Sequence, residues 1–189
     1  VTAATLTFSD GTTIAVPALA NDGTATTITF PARATTTVRF TVTTVSAATS
    51  NIGLAEILAS NGDPTPTPTP TPTSTSTSTS TSSGAGTPMA GPASYDGPNV
   101  ARNALVLASS QAPGQAATRA IDAVIAGYPG NAGAEWSSNG ERGGAWLELS
   151  WPTPQTLDRV ILHDRPNSSD HVTAATLTFS DGTTIAVPA

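Results

Sequence analysis

Apolar and polar residues alternate along much of this chain with a period of two. Thr5-Leu6-Thr7-Phe8 alternates, Ser9-Asp10-Gly11-Thr12 supplies an Asp-Gly turn, and Thr13-Ile14-Ala15-Val16 alternates again. That pattern predicts a β-hairpin. Asn21-Asp22-Gly23 predicts a second turn before a strand at Thr27-Ile28-Thr29-Phe30. Val38, Phe40 and Val42 interleave with Arg39, Thr41 and Thr43, a strand with one wet face. Leu147, Leu149 and Trp151 alternate likewise, and Arg159-Val160-Ile161-Leu162-His163 reads as a more fully buried strand. Only residues 116–126 suggest a short helix. Many short strands separated by Gly, Pro and Asp turns predict an all-β chain, an antiparallel β-sandwich.

The predicted hairpin occurs twice. The string VTAATLTFSDGTTIAVPA fills residues 1–18 and returns unchanged at 172–189. Identity over such a length marks a tandem array, of which this sequence is a window with both ends inside a folded unit. Between the copies, residues 63–83 read DPTPTPTPTPTSTSTSTSTSS, with no apolar side chain larger than proline. Such a stretch buries too little apolar surface to offset its ordering entropy, so 61–94 is expected to be a linker. Alternating Thr-Pro favours extended polyproline II, which at about 3.1 Å per residue would span on the order of 100 Å. One folded unit then runs from Tyr95 through His171 and continues with Val1 through Ser60 of the next copy. The expected division is therefore 1–60, the C-terminal half of one sandwich; 61–94, the linker; and 95–189, the N-terminal part of the next. Residues 1–18 and 172–189 cannot both fill one place in one sandwich. Assembly as a covalent array or by half-domains exchanged between chains both satisfy this.

Composition narrows the function. Cysteine is absent, which excludes disulfides, thiolate metal sites and a cysteine nucleophile. Seven Arg and no Lys stand against thirteen acidic residues, a net charge of −6, which argues against nucleic acid or an anionic membrane as partner. No apolar run reaches bilayer-spanning length, so membrane insertion is not expected. The Ser/Thr/Pro tract resembles a mucin-type stalk and predicts O-glycosylation, covalent glycans and an extracellular or cell-surface location. The acceptors would be Thr65, Thr67, Thr69, Thr71, Thr73, Ser74, Thr75, Ser76, Thr77, Ser78, Thr79, Ser80 and Thr81. Asn167-Ser168-Ser169 also reads as an N-glycosylation triplet, a pattern common by chance.

Catalysis is not expected. His163 and His171 lack metal-ligand spacing, no serine sits in a nucleophile elbow, and Glu135 and Glu141 lie in an apparent loop with no cleft implied.

The order NVARNALVLASSQ (99–111), ATRAIDAV (117–124), EWSSNGE (135–141), AWLELSW (145–151), LDRVILHDRPN (157–167), VRFTVTTVS (38–46) and NIGLAEI (51–57) resembles a discoidin domain. This is the coagulation factor V/VIII type C family, a galactose-binding-like jelly roll. The resemblance covers the folded unit, read across the repeat joint, and none of the linker. It implies binding rather than catalysis, with Trp136 and Trp146 as packing residues. It also implies a structural calcium ion beside the binding face, held by Asp122, Glu56 and the loop around Asn131, although Ala123 stands where the family usually has Gly. Carboxylate and carbonyl oxygens suit calcium. The alternative gives Asp122 a helix-terminal hydrogen bond and makes Glu56 an acceptor for backbone amides.

A sugar-binding end in such a domain would use His163, Asp164, Arg165 and Asn167, with Glu135 and Tyr128 from the facing loop. The Arg165 fork can hold two oxygens at once. Alternatively, the Asp-Arg-Pro corner is a structural ion pair. Two roles follow. The first is a structural repeat of an extracellular fibre whose partners are neighbouring copies of the same unit. The second is a tandem carbohydrate-binding module for polysaccharide or glycoprotein glycans, with avidity from linked copies.

Overall fold

The computed structural model describes residues 3–10, 12–61, 98–167, 172–180 and 183–186. The Thr/Pro/Ser tract, with every O-glycosylation candidate, lies outside the described residues. The fold is all-β and sandwich-like. Among the described residues there are nine strands: β1 Ala3–Phe8, β2 Thr13–Val16, β3 Ala25–Val45, β4 Gly53–Ser60, β5 Leu105–Ala108, β6 Trp136–Ser137, β7 Trp146–Asp164, β8 Val172–Phe179 and β9 Thr183–Ala186. Three short 3-10 turns, Val100–Asn103, Ala117–Ile121 and Ala132–Ala134, are the helical elements among them.

Strands from either side of the linker pair in one sheet. β3 pairs antiparallel with β7, Ala25 opposite His163 and Ile28 opposite Val160. β4 adds to the other edge of β7, Ile57 opposite Leu162, and its first residues pair with β6. β5 pairs with the start of β7. The described residues flanking the linker also meet, the Ala59 N–H donating to Asn99 Oδ1 at 3.2 Å.

β3 and β7 each join two segments that the pattern predicts as separate strands. Their register shifts between Thr29 and Arg33, around Pro31, and between Thr35 and Thr37, opposite the stretch of β7 that holds Pro152 and Pro154. Proline has no N–H for the ladder, so the strands bulge there instead of ending. Such bends let long strands pass from one part of a folded sheet to another. The predicted helix at 116–126 is only the 3-10 turn Ala117–Ile121, stopped by Ala123 at φ 67°.

The alternation decides the core. Leu6, Phe8, Val38, Phe40 and Val42 are fully buried with Leu54, Ile57, Trp136, Leu147 and Leu149 in one cluster. Each such side chain contributes about 1.5–3 kcal/mol. Trp151 is buried too, its indole N–H donating to the Val100 carbonyl at 2.9 Å. Trp146, expected as packing, is half-buried and lies beneath Arg39, whose guanidinium carbon is 4.4 Å from the ring centroid.

The duplicated segment has an unusual position. Leu6, Thr5 and Ala4 of β1 are opposite Phe40, Thr41 and Val42 of β3. Leu177, Thr176 and Ala175 of β8 are opposite the same three residues. β1 and β8 run parallel to each other, each residue beside its own repeat equivalent.

Candidate functional site

The end of β7 and the loops beside it gather most of the predicted site residues. β7 runs buried through Val160–His163 and delivers His163, Asp164 and Arg165 to the sheet end, where Pro166 turns the chain. β6 begins directly after Glu135, and its pairing of Trp136 with Leu54 carries Glu135 to the same corner. The result is a closed polar network. Arg165 Nη2 and Nε lie 2.7 and 2.9 Å from Glu135 Oε1, which also accepts from Gln115 Nε2 at 2.6 Å. Glu135 Oε2 accepts the Tyr128 N–H at 3.0 Å, and Arg165 Nη1 donates to the Asn51 carbonyl at 3.3 Å. Asp164 Oδ1 accepts the Arg165 N–H at 2.8 Å.

Burial makes this network demanding. Glu135 is 0 % exposed and Arg165 4 %. An ion pair so placed must recover two desolvation costs, which is why the additional donors matter. Two glycines leave room for it. A Cβ at Gly127 would collide with Glu135 Oε2 and lie 2.8 Å from Pro166 Cδ, and one at Gly53 would collide with the Trp136 carbonyl and lie 2.7 Å from Arg165 Cδ. The sequence pattern did not single out Gln115, Asn51 or these glycines. They belong to the site only through long-range packing.

His163 is buried behind the network. Its Nδ1 donates to the Gly23 carbonyl at 2.9 Å, and Nε2 has no partner among the described residues. Asn167 is buried as well, its N–H donating to the Arg165 carbonyl at 2.7 Å. Its side chain therefore does not offer the exposed nitrogen that an N-glycan needs. Of the six sugar-site candidates, His163, Asp164, Arg165, Asn167 and Glu135 face inward and only Tyr128 is exposed. Val124 and Ile125, which sequence reasoning missed, are exposed on the same loop as Tyr128. That loop sits against the 21–23 turn, with Ile125 Cγ2 and Pro166 Cβ both within 4 Å of where a Gly23 Cβ would stand.

The calcium candidates divide. Glu56, 1 % exposed in β4, accepts the Ala123 N–H at 3.2 Å on each carboxyl oxygen. Asp122 Oδ1 accepts the Val124 N–H at 2.9 Å, and its Oδ2 lies 3.4 Å from Arg119. The left-handed Ala123 aims its amide at Glu56. Burial pushes the Glu56 carboxyl up to about 8. The Asp122 charge adds to the rise, while the Ala123 N–H and Arg102 oppose it. Asn131 is exposed in the next loop, its N–H on the Gly127 carbonyl at 2.8 Å. Among the described residues no group of three or more His, Cys, Asp or Glu converges as a metal set.

The other two glutamates are engaged. Glu141 accepts from Ser109 Oγ at 2.5 Å, and Glu148 pairs with Arg39 at 2.8 Å.

These features describe an all-β, sandwich-like domain whose polar end is tied up internally. A family model described as a domain of unknown function (DUF7402) matches residues 1–60 and 99–189, and the chain belongs to that family. No curated protein and no solved structure matches the chain.

Proposed function

We propose that this chain is a non-catalytic structural repeat of an extracellular, O-glycosylated filament, in which discoidin-like sandwiches alternate with Thr/Pro/Ser stalks. The observation that carries the reading is the Glu135–Arg165 network. The groups best suited to grip sugar hydroxyls are buried and spent on one another, as in a unit built for rigidity. Neighbouring copies of the unit are the partners. Glu56 and Asp122 would hold a calcium ion, which would neutralise their charge and stiffen the loop carrying Ala123.

A carbohydrate-binding module is the second reading, favoured by the exposed Tyr128 beside Val124 and Ile125. An exposed ring with apolar neighbours can stack on the apolar face of a sugar. Intact-mass analysis of the natively produced protein tests the first reading. Mass increments of hexose units confined to peptides spanning 63–83 are expected, and an unmodified tract would remove the stalk.

A further inference from the structure

We propose that the sheet position beside residues 38–45 of β3 is an acceptor slot, filled interchangeably by either copy of the repeated hairpin, and that the spare hairpin of one chain fills the slot of another. The partner is thus a second copy of this chain, joined by strand addition.

Three relationships carry this. First, β1 and β8 claim the same partners in the same register, Leu6 and Leu177 both opposite Phe40. Second, the hairpins exchange arms. Within the second copy, Thr178 pairs with Thr184, and Thr7 of the first copy pairs with that same Thr184. Ala15 of β2 pairs with Thr176 of β8 in the register that Ala186 uses within its own hairpin. Third, one buried hydroxyl is claimed twice. Thr35 Oγ1 meets Ser9 N at 3.1 Å, Ser9 Oγ at 2.8 Å, the Thr37 carbonyl at 2.7 Å, and Ser180 Oγ at 3.2 Å. Ser180 is the repeat equivalent of Ser9. A hydroxyl has one proton and two lone pairs, so it serves three of these four groups at a time.

Residues 1–189 therefore hold two donors and one acceptor. Whichever hairpin occupies the home slot, the other remains available to a neighbour whose slot is vacant. The contact is heterologous and open, the geometry that propagates head to tail. Main-chain hydrogen bonds supply affinity in such additions, and alternate side chains supply register. The proposal rests on the filament reading only for which neighbour supplies the hairpin. The slot itself is testable without glycans.

The experiment uses the unglycosylated full chain and proline substitutions, which remove a ladder N–H from one copy at a time. Leu6→Pro and Leu177→Pro should each stay folded and monomeric by circular dichroism and light scattering, since the intact copy fills the slot. The double variant should lose its sheet signal. Mixing it with an equal amount of the parent chain should restore that signal and give a species of twice the 18.8 kDa chain mass. Collapse of either single variant, an unaffected double variant, or mixing without a complex would each overturn the slot. None of those outcomes bears on the glycan masses, so the two proposals fail separately.

Discussion

Arg165 places two nitrogens on one oxygen of Glu135, Nη2 at 2.7 Å and Nε at 2.9 Å, with both side chains removed from water. Removing one member leaves the other charged and buried. Arg165→Ala should therefore destabilise the fold by about 3–5 kcal/mol, the range for breaking a buried pair. Urea unfolding followed by tryptophan fluorescence checks this, since Trp136 is next to Glu135 in the chain. A loss below about 1 kcal/mol would mean the pair behaves as a surface salt bridge.

Gly127→Ala tests the same corner without touching a charge. The new methyl would meet Glu135 Oε2 and Pro166 Cδ. Overpacking of this kind costs about 1–3 kcal/mol. Gly130→Ala, where a Cβ would have only the Gly127 carbonyl at 3.8 Å, is the matched control and should lie within about 0.5 kcal/mol of the parent in the same unfolding measurement.

Glu56 gives the chain a pH dependence of defined sign. Its carboxyl is raised to about 8 in the fold from an ordinary 4.5, so the folded state favours the protonated form. That stabilisation is fully present below pH 4.5 and is lost as pH rises through 8. Each pH unit in the window costs up to about 1.4 kcal/mol. Thermal unfolding in chelator should show a falling midpoint from pH 5 to pH 9, and Glu56→Gln should flatten it. Calcium bound at Glu56 and Asp122 would favour the ionised carboxylates, so added calcium should raise the midpoint most at high pH. An identical midpoint with calcium and with chelator at pH 8 would remove the ion from the account.

Tyr128 separates the two functional readings. The residue is 51 % exposed, so Tyr128→Ala should shift stability by no more than about 0.5 kcal/mol. In a glycan-array measurement the structural reading expects no ligand lost, because none is bound. Tight binding abolished by this substitution would promote the carbohydrate-binding module.

Much of the fold was legible in the sequence because period-two alternation reports burial directly. Val38, Phe40 and Val42 are buried, while Arg39 and Thr41 are part-exposed, as the pattern demands. Strands were expected to be separated by Gly, Pro and Asp turns, yet bulges carry β3 and β7 past Pro31, Pro152 and Pro154. The helix expected at 116–126 fails at Ala123, whose left-handed backbone its residue type does not announce. At the site, the sequence pointed to Arg165, Asp164 and Glu135 as polar groups near one loop. It could not show that Gln115, Asn51 and the Tyr128 amide close around them, because those contacts depend on packing between distant segments. The same limit hid Val124 and Ile125, whose apolar side chains suggest interior positions but lie at the surface.

Electron cryo-microscopy of the native particle would reveal a glycosylated filament of repeating sandwiches. A periodic rod is expected, in which successive sandwiches are joined by stalks carrying sugar density along 65–81. Isolated, unglycosylated monomers in the same material would contradict it.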